Sequence, residues 1–260
     1  MKLINIFLFL IIIYYLVFNI NCKRNNYENF NIKKDLIIAR YNEDVDYLDD
    51  EIFQEFNIII YNKGNPLTLD CLNKNVKVID LPNVGREGHT HLYHIINNYD
   101  NLADVTMFIP GSWKLPNKQG WTIEYLKKLK ETNTTVLFTQ GGLKNIKKIL
   151  YDFTLDEWLS TDDKNKELNP TKKLLLSEIR PFGLWYEKHF QHFDHDDIKV
   201  INYLGIFAVD KKHVLQNNLE LYQGLYDELN THHNPEVGHY LERAWGSVFY
   251  PYPDSCINYY

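Results

Sequence analysis

The sequence predicts an α/β domain: a single, mainly parallel β-sheet with helices on both faces, preceded by an N-terminal hydrophobic helix. Three observations lead there. Short apolar runs alternate with segments of helical spacing, the order that strands joined by helical crossovers produce. Length is the second, since 260 residues suit one ordinary domain with an appendage. Composition is the third, because 45% apolar and 24% charged residues allow a packed core and argue against global disorder.

The first element is Leu3 to Ile20, LINIFLFLIIIYYLVFNI, which carries no charge. As a helix it is about 27 Å long, close to the hydrocarbon thickness of a bilayer. It exceeds a usual secretory core and lacks small residues before Cys22. Residues 1–22 are therefore read as a signal anchor, with a cleaved signal peptide or a buried core helix as alternatives. A polar stem, 23–34, leads into the α/β domain at 35–260. The bulk of the chain follows the anchor, so a single-pass protein with a lumenal or extracellular domain is expected, or a secreted one after cleavage. In that setting Cys71 and Cys256 are a candidate disulfide, two unrelated thiols being equally open, and Asn133-Thr134-Thr135 is a candidate glycosylation site.

The strands follow in order. Leu36 to Ala39 is a buried run, and Asp44 to Phe56 has short helical spacing. Asn57 to Tyr61 is a second strand, closed by the turn residues Asn62-Lys63-Gly64. Val76 to Ile79 and Asp104 to Ile109 are the third and fourth. Trp121 to Lys130 is helical, Thr135 to Thr139 a strand, Leu155 to Lys173 a polar connection, Lys199 to Val209 a strand, and Pro235 to Phe249 a terminal helix. Ligands of open parallel sheets bind where the carboxyl ends of strands meet their loops. That rule selects Arg40–Asp44, Tyr61–Asn65, Leu81–His89 and Pro110–Asn117.

Within the third of these, NVGREGHTHLYHI (Asn83 to Ile95) concentrates two glycines, Arg86-Glu87 and three histidines. A helix from about Gly88 to Tyr99 buries Leu92, Ile95, Ile96 and Tyr99, with His91 and His94 on one flank and His89 on the other. The histidines then do not converge on one metal, and two are expected exposed or half-buried. Gly85 and Gly88 bracket Arg86 and Glu87 at a helix start, where free N–H groups and the helix dipole favour an anion. Arg86 can grip one bidentately; the plainer alternative pairs Arg86 and Glu87 with neighbours.

Other clusters are HFQHFDHDD, in which Asp194 and Asp196 have the spacing to share a divalent cation, and the run Gly238 to Trp245. In that run Glu242 is either a structural carboxylate paired to arginine or a site base. A formal charge of −6 and the lack of a basic stripe argue against nucleic acid as a partner. No G-x-S-x-G, H-E-x-x-H or P-loop motif occurs.

Taken together, Ala39-Arg40-Tyr41-Asn42-Glu43-Asp44, Tyr61-Asn62-Lys63-Gly64, Asn83 to Thr90, Asn98 to Leu102 and Gly238 to Trp245 resemble an uncharacterised domain family of eukaryotic microbes and large viruses. The layout also resembles, more distantly, nucleotide-sugar glycosyltransferases of the GT-A fold. Those enzymes start with a strand ending in a Tyr-Asn-Glu-like loop that contacts the nucleotide, and Arg40 to Asp44 matches it. Leu204 to Val209 matches their late Gly-Phe-Ala-like strand. After Ile109 the chain reads Pro110-Gly111-Ser112-Trp113, without the aspartates of their metal motif.

The resemblance implies a glycosyltransferase acting on a nucleotide-sugar and an acceptor glycan or protein, with a divalent cation (Mn or Mg) as the expected cofactor. On this reading the candidate donor and anion residues are Arg40, Asn42, Glu43, Asp44, Lys63, Arg86 and His89, and the candidate catalytic carboxylates are Glu242 and Glu87. By their spacing alone Asp194 and Asp196 are the candidate metal residues, a solvated acidic loop being the alternative. Two other classes stay open: a metal-dependent hydrolase or oxygenase using the histidine and aspartate clusters, and a non-catalytic, surface-displayed binding domain.

Overall fold

The apolar run after the stem forms β1, Lys34–Arg40, and the sheet is built outward from it. In this computed structural model the described residues are 32–67, 69, 76–139, 150–159, 172–190 and 200–259. Lys33–Tyr260 make up one compact unit. The hydrophobic segment Leu3 to Ile20, Cys71, Asp194 and Asp196 lie outside the described residues. Among the described residues no helix is long and apolar enough to cross a membrane.

β2, Asn57–Asn62, and β4, Val105–Pro110, flank β1 in parallel; β3, Val76–Asp80, pairs in parallel with β2. β6, Phe207–Asp210, runs antiparallel to β4, so the order is β3-β2-β1-β4-β6. Every residue of β4 is buried, as a central strand covered on both faces must be. Leu36, Ile38, Ile60, Met107 and Phe108 are fully enclosed. Each contributes roughly 1.5–3 kcal/mol through the area it removes from water.

Two expectations about the sheet need correction. Thr135 to Thr139 does not extend the main sheet. Val136 bridges to Ala208, and the chain then turns away as β5, Leu137–Thr139, which pairs in parallel with β7, Ile257–Tyr259. The architecture is thus one five-stranded mixed sheet and a second two-stranded one. Of the expected strand Lys199 to Val209, the described residues before Phe207 are not strand. Leu204 and Gly205 adopt left-handed φ (76° and 63°), which breaks the extended chain just before β6.

The helices begin where capping chemistry allows. α1 is Arg86–Asn98 and α2 is Pro116–Thr132, the latter with Pro116 in its first turn and left-handed Asn133 at its end. α3 spans Phe182–Phe190 and packs on α6, Glu236–Val248. α4 is one turn, Lys211–Val214, capped by Asp210, and α5, Leu219–Asp227, is capped by Asn218. The Asp44 to Phe56 stretch forms two 3-10 turns, Asp46–Asp49 and Glu51–Phe53, rather than one helix.

α1 starts earlier than its spacing suggests and is more enclosed. It packs against β1 and β4 as well as α5 and α6, so its flanks are interior. His91 and His94, expected exposed or half-buried, are fully buried, as is His89. His91 lies among the rings of Phe108, Phe207 and Trp245 at 4.9, 5.4 and 5.7 Å. His94 Nδ1 shares a hydrogen bond with Tyr61 Oη at 3.0 Å. His89 Nε2 meets Tyr226 Oη at 3.0 Å, which ties α1 to α5. Burial pushes these imidazoles down to about 4 (His89), 3 (His91) and 4 (His94), so they are neutral at pH 7.

Candidate functional site

Ala39 stands opposite both Tyr61 and Pro110, so β1, β2 and β4 release their loops at one edge of the sheet. β2 and β3 lie on one side of β1 and β4 on the other, so the connections diverge between β1 and β4. A crevice opens at such a switch point. Antiparallel β6 brings its incoming loop, with Leu204 and Gly205, to the same edge. These loops surround a cleft of about 290 Å³ lined by Arg40, Lys63, Arg86, Glu87, Lys118 and Glu242, among others.

The first two loops are locked to each other. Gly64 packs so tightly on the preceding loop that a Cβ would lie 1.8 Å from Tyr41 O, which leaves glycine as the residue that fits. Asn42 Oδ1 accepts the Asn65 N–H at 2.8 Å. Arg40 spends its guanidinium on Glu43 O (2.7 Å), Tyr41 O (3.1 Å), Asn62 Oδ1 (2.5 Å) and Asn65 O (3.2 Å). It lines the cleft, yet its Nε and NH1 donors brace the loops. Glu43 also lines the cleft and accepts the Tyr41 N–H at 2.7 Å. Asp44 is exposed, accepts from Asp46 N, and does not line the cleft.

Lys63 clamps the third loop. Its Nζ donates to Val84 O at 2.7 Å and Arg86 O at 2.5 Å, across a turn in which Gly85 and Arg86 are both left-handed (φ 59° and 52°). Burial pushes the Lys63 ammonium down to about 7, against the opposing pull of Glu87. Among the described residues the non-glycine positions with positive φ are Arg86, Asn133 and Leu204. Asn133 ends a helix, where that conformation is routine. Arg86 and Leu204 have no such excuse, and both line the cleft. Each costs on the order of 1–3 kcal/mol, and strain of this kind collects at functional sites.

The two left-handed turns enclose two carboxylates. Gly205 lies against Glu87, where a Cβ would come within 2.6 Å of Glu87 Cγ. Glu242 Oε1 accepts the Leu204 N–H at 2.6 Å. Burial pushes the Glu87 carboxyl up, but the charges of Arg86 and Lys118, with a backbone hydrogen bond among the lesser causes, hold the group down at about 2. Glu242 goes the other way. Burial and the Glu87 charge raise it, and Arg86 and Arg243 only partly offset them. Neighbouring carboxylates driven apart in this manner are suited to different protonation roles.

Arg86 is held by its flanks. Its guanidinium carbon lies 4.1 Å from the centre of the Trp158 ring, and NH1 donates to His239 Nε2 at 3.1 Å. NH2 lies 3.7 Å from Glu87 Oε1. Burial pushes His239 down to about 2, so it is a neutral acceptor. Lys118 Nζ donates to Ser112 Oγ at 2.8 Å, and burial lowers its pKa against the pull of Glu87.

The structure therefore gathers Arg40, Glu43, Lys63, Arg86, Glu87 and Glu242 at one cleft. Asn42 supports it from behind, and His89 faces α5 instead. Asp194 and Asp196 lie outside the described residues, as does Cys71, while Cys256 is a buried free thiol. Asn133 is half-buried at the end of α2. Lys118, Trp158 and Leu204 were not singled out as site residues from the sequence. Lys118 sits one residue past a loop the strand-end rule selected, and that was the available signal. Trp158 stands in a polar stretch with no pattern around it.

An open, mostly parallel mixed sheet with a charged cleft at its switch point defines an α/β protein. The chain belongs to a family described as protein of unknown function (DUF3431), whose model matches residues 36–260. No curated protein matches it.

Proposed function

We propose that the chain is a glycosyltransferase that moves a sugar from a nucleotide-sugar donor to a hydroxyl of an acceptor glycan or protein. The observation that carries the reading is the meeting of Arg86, Glu87, Lys118 and Glu242 in the cleft between the ends of β1 and β4. A central β1 between β2 and β4, with β6 reversed beyond β4, supports the likeness to the GT-A fold.

In this reading the donor nucleotide lies over the Arg40–Asp44 loop, with its diphosphate near Arg86 and the first turn of α1. The acceptor oxygen bonds to the anomeric carbon as its proton passes to the Glu242 carboxylate. The bond from that carbon to the phosphate oxygen breaks, and its electron pair leaves with the nucleoside diphosphate. Arg86 stabilises the departing charge, and a divalent cation (Mn or Mg), if bound, would supply further positive charge there. Glu87 stays ionised, and burial together with the Glu87 charge keeps Glu242 basic. Leu3 to Ile20 anchors the protein, or is cleaved from it, and places the domain in the lumen or outside the cell.

The test is release of nucleoside diphosphate from a panel of nucleotide-sugars by the purified full chain, with and without manganese. Glu242→Gln is expected to cut turnover at least about 100-fold while donor binding persists. No turnover and a flat calorimetric trace across the panel would contradict the proposal. Zinc or iron retained stoichiometrically through dialysis would favour a metal-dependent hydrolase or oxygenase instead.

A further inference from the structure

We infer that Arg86 and Lys118 hold the phosphate groups of the ligand directly, with no divalent cation between protein and phosphate. The inference rests on the reading of the cleft as a site for a phosphorylated donor and specifies how that donor is gripped.

The cations of the cleft differ in how many donors they have left. Arg40 makes four hydrogen bonds to its own loops, and the ammonium of Lys63 makes two to backbone carbonyls. Arg86 makes one, to His239, and Lys118 makes one, to the Ser112 hydroxyl, among the described residues. A guanidinium has five N–H donors and an ammonium three, so most donors of both groups remain for a ligand. Arg86 is also fixed in advance by the Trp158 ring and His239, which lowers the entropic cost of binding.

Position agrees with this. Arg86 opens α1 and Lys118 lies in the first turn of α2, so both line the switch-point crevice from helix N-termini, where anions are favoured. The carboxylates are poorly placed to offer a metal its ligands. Among the described residues no group of three or more His, Cys, Asp or Glu side chains is placed to hold a metal ion. Glu87 balances the charges of Arg86 and Lys118. A divalent ion entering here would face two half-buried cations, whereas a diphosphate would satisfy them.

The test is calorimetric titration of the full chain, purified in chelator, with inorganic pyrophosphate and separately with nucleoside diphosphates, each with and without manganese. Pyrophosphate is expected to bind saturably in chelator. Lys118→Met and Arg86→Met should each weaken it about 10- to 100-fold, the loss of one charge-assisted contact. Lys118→Arg should stay within several-fold of the parent, and Lys127→Met, on the exposed face of α2, should bind as the parent does. Melting curves establish that each variant is folded.

Binding that requires manganese, or parental binding by both Met variants, overturns the inference, as does no binding at all. If pyrophosphate binds without metal but no nucleoside diphosphate binds more tightly, the inference stands and the nucleotide-sugar reading falls. If a nucleoside diphosphate binds only with manganese, the reverse holds.

Discussion

His91 offers a quantitative test of how α1 is enclosed. Its ring is fully buried among Phe108, Phe207 and Trp245, and neither nitrogen has a hydrogen-bond partner among the described residues. Burial, more than the nearby Lys63 and His94, depresses its pKa from 6.5 to about 3, while Glu87 pulls it back. In the unfolded chain the imidazole takes up a proton below pH 6.5; in the folded protein it does not until about pH 3. The unfolded state therefore binds more protons in that window, and stability falls as pH drops through it. At 1.36 kcal/mol per unit, going from pH 7 to pH 5 costs about 2 kcal/mol through this one residue. His91→Leu removes the titrating group and the unpaired nitrogens at similar volume. It should be neutral or stabilising at pH 7. Urea denaturation followed by tryptophan fluorescence at pH 7 and pH 5 reads both effects. The parent should lose about 2 kcal/mol more than the variant between the two pH values. Equal losses would show that the imidazole is not held neutral by burial, and the account of α1 would be wrong.

Three further outcomes follow from the same contacts. Gly205→Ala places a methyl group 2.6 Å from Glu87 Cγ in a left-handed backbone, so about 1–3 kcal/mol of stability should be lost in urea titration. Glu236 is fully buried and accepts from Leu155 N, Ser177 N, Tyr240 Oη and Arg180 Nε; Glu236→Ala should cost roughly 3–5 kcal/mol by the same method. If Glu242 is the base, turnover should rise with pH through a limb centred above the ordinary 4.5, because its pKa is raised and its ionised form is the active one. Glu242→Gln should abolish that limb, and a limb unchanged in the residual activity would exclude the role.

How far the sequence revealed these features depended on whether the cause was local. The run Leu36 to Ala39 and the fourth strand were readable because central parallel strands are apolar on both faces. α6 was readable because its spacing is helical throughout and Pro235 precedes it. β5 was recognised as a strand but assigned to the wrong sheet, since its partner β7 lies far along the chain and no local pattern encodes such pairing. The direction of β6 was invisible for the same reason. The enclosure of His91 and His94 depends on α5 and α6 arriving from the C-terminal half, whereas periodicity reports only one face.

The candidate site followed the same rule. Loops at strand ends could be selected from the order of elements, and Arg86, Glu87 and Lys63 came with them. Which cations were already spent could not be read, because the four bonds of Arg40 depend on two loops locking around Gly64. Lys118 and Trp158 join the cleft only through tertiary placement.

The most direct test of the central claim is a crystal structure of the full chain with a nucleoside diphosphate bound. Its phosphates are expected between Arg86 and Lys118, at the ends of β1 and β4, with Glu242 facing the open side of the cleft. Phosphates bound elsewhere on the molecule, with the Arg86 guanidinium still stacked on Trp158 and untouched by ligand, would contradict it.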